Sequence, residues 1–276
     1  MTRLQRARVA QETLAICERG TYSAAGQTIS IGEQLAQACA GTVLYRPDDY
    51  DTLMNAVAQL PRYDTEIVVS ARSTLAAGRS LAERFAHVAC LNFASARHPG
   101  GGFIGGSQAQ EESLARASGL YATLQTQPAF YEYHHYNPSA LYSDHMILSP
   151  HVPVFRDDQD RLILQPWTTT FLTAAAVNAG VLHRNDPTLV PQIEPTMQRR
   201  ARMVLAMAAH HGCEALVLGA WGCGVFKNNP TTIARIFADA LADPALVGLF
   251  KAVDFAIYDS MVGQPILRAF HSVFGE

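Results

Sequence analysis

Two adjacent carboxylates, Glu111 and Glu112, follow a run with five glycines in seven residues, Gly100-Gly101-Gly102-Phe103-Ile104-Gly105-Gly106. A positioned carboxylic acid can protonate a departing oxygen, and the carboxylate left behind can then activate water. Clustered glycines lose the most backbone freedom on folding, so such a run is kept for positive φ angles or for close approach to something. Backbone N–H groups beside a helix N-terminus suit an anion, typically phosphate. Two glutamates at that point oppose simple anion binding, and this conflict is the most informative feature of the chain. A second glycine run, Gly219-Ala220-Trp221-Gly222-Cys223-Gly224-Val225-Phe226, offers another anion cradle. Two cradles facing one ligand would suit a diphosphate, whose oxygens accept many N–H bonds.

The spacing excludes the common phosphate loops. No Lys-Ser or Lys-Thr follows the glycines, as a Walker loop requires. Nor do the glycines fall as G-x-G-x-x-G. Asn92 ends the apolar run that enters the first loop and is a candidate either for a ligand hydroxyl or for a local cap. The histidine pairs His134-His135 and His210-His211 lack ligand spacing, so no metal is expected. His98 and His151 read as structural. Arg199, Arg200 and Arg202 read as a solvated helix face. The aromatic stretch 130–136 reads as packing, with a stacking face for a base as the alternative.

These residues need elements to hold them. Val88–Phe93 reads as a buried strand before the first loop and Ser113–Leu124 as a helix after it. Ala215–Leu218 is a strand before the second loop, with a helix over Thr231–Leu241 behind. Elsewhere, helices are expected at 4–19 (stopped by Gly20), 32–40, 50–60, 73–84 with Ser73 as N-cap, 196–211 and 265–273. Strands are expected at 28–31, 42–45, 66–70, 168–177 and 253–258, and within 144–165 on either side of a polar turn at 157–160. Residues 183–191 read as loop. Repeated strand–helix alternation argues for an α/β sandwich over a mainly buried sheet, and loops at strand ends are where such sheets bind ligands.

Composition bounds the partners. The 276 residues suffice for one large domain. An apolar fraction of 49%, a charged fraction of 16% and a net charge of −3 fit a globular protein and argue against broad gripping of nucleic acid. Five dispersed cysteines without a C-x-x-C pair suggest reduced thiols and a cytoplasmic setting. No run approaches the ~20 apolar residues that span a bilayer, so no membrane association is expected.

Three glycines, seven residues, then Gln110-Glu111-Glu112 resembles the signature of poly(ADP-ribose) glycohydrolases. The flanking Asn92-Phe93-Ala94-Ser95-Ala96-Arg97-His98-Pro99 and Gly222-Cys223-Gly224-Val225-Phe226 are similar to the smaller, bacterial-type members, and the resemblance runs over most of the chain. It implies a three-layer α/β/α macrodomain-like fold with a mixed central sheet and extra N-terminal helices. The expected layout is a single domain over 1–276, with an extension over about 1–85 and the core over about 86–276. It further implies cleavage of ribose–ribose bonds, mainly from chain ends and without cofactor or metal, with poly(ADP-ribose), ADP-ribose and poly-ADP-ribosylated proteins as partners. Glu112 would be acid and then base, and Glu111 would orient the ribose hydroxyls or the leaving group. Asn92, Gly100, Gly101, Gly102, Gln110, Gly222, Cys223, Gly224, Val225 and Phe226 would bind substrate, with Gln110 also supporting the loop and Phe226 packing on the sugar. A non-catalytic ADP-ribose reader and a hydrolase of mono-ADP-ribose adducts or esters remain open alternatives. A reader needs no acid at the Gln110-Glu111-Glu112 triplet, which separates it from the glycohydrolase reading.

Overall fold

The computed structural model describes residues 1–275. Helix α1 (Arg3–Arg19) opens with a capping box between Thr2 and Gln5 and stops at Gly20, whose φ of 70° lets its N–H reach Ile16 O. A hairpin of β1 (Thr21–Ala24) and β2 (Gln27–Ser30) follows; only its second strand is legible in the sequence, because β1 is short and half polar. Next come α2 (Gly32–Ala40), β3 (Val43–Tyr45), α3 (Tyr50–Val57), β4 (Glu66–Ser70), α4 (Thr74–Ala82) and β5 (Val88–Phe93). Beyond the first glycine loop lie α5 (Gln110–Ala117), α6 (Leu120–Gln125), α7 (Pro128–Tyr136), β6 (Met146–Arg156) and β7 (Leu162–Ala174). The chain ends through α8 (Ala179–Asn185), α9 (Ile193–His210), β8 (Ala215–Leu218), α10 (Pro230–Ala242), β9 (Ala252–Ala256) and α11 (Pro265–Phe274).

Seven strands form one mixed sheet in the order β3-β6-β7-β5-β8-β9-β4. From β7 to β4 all neighbours are parallel, while β6 runs antiparallel to both β3 and β7. The buried alternation of β5 shows the layering. Ala89 and Leu91 face a core shared with α3, α9, α10 and α11, whereas Val88 and Cys90 face one shared with α2, α4, α5, α6 and α7. The fold is therefore the three-layer α/β/α sandwich that the sequence suggested. Both edge strands, β3 and β4, come from the first 85 residues, so that segment is built into the sheet.

Three local expectations are corrected. The helix expected over 113–124 is two helices, and it begins earlier, at Gln110, so both glutamates stand in its first turn. It breaks where Ser118 bridges Val154 and Gly119 N–H donates to Pro153 O at 3.0 Å; a Cβ on Gly119 would lie 2.4 Å from Leu35 Cδ1. Residues 183–191 are not loop but the end of α8 and a short 3₁₀ segment. Of the arginines of α9 only Arg199 lies on an exposed face, where it pairs with Asp144: Arg200 is 1% exposed, and Arg202 meets Tyr50 and Asp243. In α7, Phe130 and Tyr131 are buried, so packing is the use made of that aromatic stretch.

α1 lies against the first glycine loop. Arg3 Nε donates to Gly105 O at 2.9 Å and Arg6 Nε to Gly106 O at 2.8 Å. Gly106 has a φ of 74°, and a Cβ there would fall 2.0 Å from Arg3 O and 3.0 Å from Ala7 N. Both are backbone atoms, so no rotamer change relieves the clash. Gly106→Ala is expected to unseat α1 and to cost at least the ~1–2 kcal/mol of a left-handed non-glycine residue. Urea unfolding with amide exchange across α1 checks this; unchanged protection in α1 would contradict it.

Candidate active site

β5 and β8 are adjacent and parallel, with Val88 opposite Ala215 and Cys90 opposite Val217. The loops that follow them therefore emerge at the same end of the sheet. Between them opens a cleft of about 1320 Å³. Gly101, Gly102, Gln110, Glu111 and Glu112 line one wall, and Gly222, Gly224, Val225 and Phe226 another. Asn92 and Cys223 lie behind the walls rather than on them: Asn92 is fully buried, and the Cys223 thiol turns to Trp221 O.

The two carboxyls occupy different environments. Glu112 is half-buried, and its Oε1 accepts from Gly102 N–H at 3.1 Å. Glu111 is 3% exposed; its Oε1 accepts from Asn92 Nδ2 at 3.2 Å and its Oε2 from Ser95 N–H at 2.7 Å. Burial pushes the Glu111 carboxyl from its usual 4.5 to about 8, against the pull of those donors and with a smaller push from Glu112. Between about 4.5 and about 8 the folded chain thus keeps a proton that the unfolded chain has released, so stability falls as pH rises through that window. Glu111→Gln removes this titration. The wild type's melting temperature relative to the variant's is expected to decline from about pH 5 to about pH 8; parallel curves would refute it.

The glycine loops divide the work in a way their composition conceals. In the first, Gly101 N–H donates to His98 O, Gly102 N–H to Glu112 and Phe103 N–H to Gly100 O. The N–H groups of Gly101 and Gly102 are therefore spent within the protein and do not form the anion cradle that the glycine run suggested. Its glycines make room for carboxylates: a Cβ on Gly101, at φ 60°, would stand 2.5 Å from Glu112 Oε1 and 3.1 Å from Glu111 Oε2. In the second loop, the N–H groups of Gly224, Val225 and Phe226 donate to no protein acceptor among the described residues. Three successive free donors at the cleft wall match an anionic ligand.

Positioning falls to residues around these loops. Gln110 ties its amide to β5 and α4, accepting from Phe93 N–H at 2.9 Å and donating to Leu91 O at 2.7 Å and to Thr74 Oγ1 at 3.2 Å. It stands in for a strand partner beyond the point where β8 pairing ends. Asn92 Nδ2 bridges Glu111 and Thr173 and so braces Glu111, while its Oδ1 has no hydrogen-bond partner among the described residues. Asn228 was not expected. Its Nδ2 ties Val177 O (2.7 Å) to Gly222 O (3.1 Å), and Gly222, at φ 72°, leaves it the space.

Tyr142 is the other residue that sequence reasoning missed. It holds a φ of 57° and sets its ring 5.9 Å from that of Phe226 in the cleft. Arg200 clamps the surrounding chain by donating to Leu141 O, Ala175 O and the Asp144 carboxylate. Nothing in the spacing around Tyr142 announces this, because its clamp comes from α9. Among the described residues, no group of three or more His, Cys, Asp or Glu side chains could hold a metal ion. No helix among them is long and apolar enough to cross a membrane.

The fold and site define a macrodomain-like sandwich whose strand-end cleft carries paired glutamates and a free N–H ladder. Comparison with known proteins narrows this. The family model for the microbial-type PARG catalytic domain matches residues 10–157. The poly(ADP-ribose) glycohydrolase of Thermomonospora curvata superposes with a TM-score of 0.94 at 47% identity, covering 98% of this chain and 99% of that one. The same protein bound to the inhibitor ADP-HPD gives 0.91 at 47% identity, over 97% and 98% of the two chains. The Deinococcus radiodurans enzyme in complex with ADP-ribose gives 0.83 at 44% identity, over 87% and 96%. A search of the curated proteins gave no match. The chain belongs to the microbial-type poly(ADP-ribose) glycohydrolase family.

Proposed function

We propose that the protein hydrolyses the ribose–ribose O-glycosidic bonds of poly(ADP-ribose) and releases ADP-ribose, acting mainly from chain ends. The observation that carries this reading is the convergence, in one cleft, of the half-buried Glu112 carboxyl with the free N–H groups of Gly224, Val225 and Phe226. The N–H groups hold the diphosphate, and the Phe226 ring packs on the sugar beside the scissile bond. Glu112 gives its proton to the departing ribosyl oxygen as the anomeric carbon takes on oxocarbenium character. The resulting carboxylate steadies that cation and takes a proton from the attacking water, which restores the acid. Glu111, braced by Asn92 and Ser95, fixes the orientation of the adjacent hydroxyls. Because the two carboxyls sit on consecutive residues, they do not straddle the anomeric carbon as a glycosidase pair does. A single carboxyl therefore serves both proton transfers.

The relatives' crystal structures with ADP-ribose and with ADP-HPD support the same ligand class. Poly-ADP-ribosylated proteins are the proposed macromolecular substrates. Five free cysteines support a reducing, cytoplasmic setting. The experiment is to incubate the protein with poly(ADP-ribose) and resolve the products by size. Monomeric ADP-ribose appearing from the outset is expected. Early oligomers would overturn attack from chain ends, and tight binding without release would make the protein a reader.

A further inference from the structure

Besides Arg200, two arginines are almost fully buried near the site without touching either glutamate: Arg116 in α5 (1% exposed) and Arg156 at the end of β6 (3%). A buried guanidinium is costly unless each donor is matched, and these are matched in a closed circuit. Arg116 Nε donates to Asp160 Oδ1 (3.3 Å), and Arg156 Nη1 donates to Asp160 O (2.9 Å). Arg156 Nε donates to Thr13 Oγ1 (3.2 Å), whose own proton goes to Arg116 O (2.6 Å). Arg156 Nη2 reaches Glu12. The circuit joins α1, α5 and the tip of the β6–β7 hairpin, where Asp160 sits at φ 60°. Its remaining donors point into the catalytic loop. Arg116 Nη1 donates to Ser107 O (3.0 Å) and Nη2 to Gln108 Oε1 (2.5 Å). Ser107 N–H donates to Gly102 O (3.1 Å), and Gly102 N–H donates to Glu112 Oε1 (3.1 Å).

We propose that Arg116 is a positioning residue for Glu112, acting through Ser107 and Gly102, with the Asp160–Arg156–Thr13 circuit fixing Arg116 itself. This rests on the glycohydrolase reading above. Arg116 fixes the backbone donor that aims the carboxyl, while the ligand's N–H groups lie on the other loop. Its loss therefore lowers kcat and leaves ligand affinity alone.

Two variants test this. Arg116→Met combined with Asp160→Asn removes both charges of the pair, so neither is left buried alone, and asparagine tolerates the left-handed backbone. Gln108→Ala removes the Arg116 contact and a bond to Ser113 Oγ at an exposed position. For both, kcat is expected to fall, by ~10²-fold for the double variant and less for Gln108→Ala, as misaligned catalytic groups do. The Kd for ADP-ribose, read by calorimetry, should stay within about twofold, since uniform binding is not what was removed. A merely structural role predicts that a double variant with wild-type melting temperature has wild-type kcat; that result overturns the proposal. So does a Gln108→Ala variant with unchanged kcat, or one whose kcat falls only together with a weakened Kd. If the double variant does not fold, Gln108→Ala alone decides. Failure of the glycohydrolase reading would look different, because the wild type itself would release no ADP-ribose.

Discussion

Glu112→Gln is expected to lower kcat on poly(ADP-ribose) by ~10²–10⁴-fold, the range for removing a general acid–base. The amide keeps the shape of the side chain and a carbonyl oxygen able to accept from Gly102 N–H, the one protein bond that Glu112 Oε1 makes. It has no proton to give the leaving oxygen and cannot accept one from water. Glu112 is half-buried and forms no ion pair, so folding should be little affected. ADP-ribose affinity should persist, because the free N–H groups lie on the other loop. Single-turnover kinetics beside calorimetric titration of ADP-ribose give both readings. Turnover within tenfold of wild type would remove Glu112 from the acid role and make Glu111 the candidate.

The second large effect is expected from adding one methyl group to the first loop. In Gly101→Ala the new Cβ would meet Glu112 Oε1 at 2.5 Å and Glu111 Oε2 at 3.1 Å. Glu111 is buried and held at both oxygens, so it cannot yield. Glu112 is the flexible neighbour and must swing away from Gly102. The backbone, at φ 60°, adds ~1–2 kcal/mol of strain. The chain should fold with reduced stability, and kcat should fall by ~10²-fold through misplacement of the carboxyl. Gly105→Ala is the control: its Cβ meets nothing nearer than Arg3 Nη2 at 3.8 Å, and its φ is not positive. Equal loss of kcat in both variants would mean that general loosening of the loop, and not the contact with Glu112, is responsible.

What the sequence made legible is what is local along the chain. Strand, glycine loop and glutamates lie within one stretch of residues, and the alternation of apolar runs with helical patterns marks a layered α/β sheet. What it concealed depends on groups that meet only after folding. Arg200 reads as surface because its partner Asp144 is remote in sequence. Arg116 and Arg156 are buried because Asp160 and Thr13 satisfy them from other elements. The helix break at Ser118 comes from Leu35 and Pro153, which no helical pattern can report. The first glycine run was legible as special but not in its purpose. Its composition suits an anion, yet the N–H groups of Gly101 and Gly102 are already taken by the protein's own oxygens.

Both margins of the central sheet are made by the earliest part of the chain, and this has a consequence for biogenesis. β4 is synthesised long before its neighbour β9, with Glu66 waiting for Ala252. The apolar Ile67-Val68-Val69 segment must therefore stay unpaired while most of the polypeptide is still being translated. Pairings this distant delay folding and leave strands open to the wrong partner. Completion of the sheet, and with it of the cleft between β5 and β8, is a late event that depends on β9, which follows the sheet's other strands in chain order.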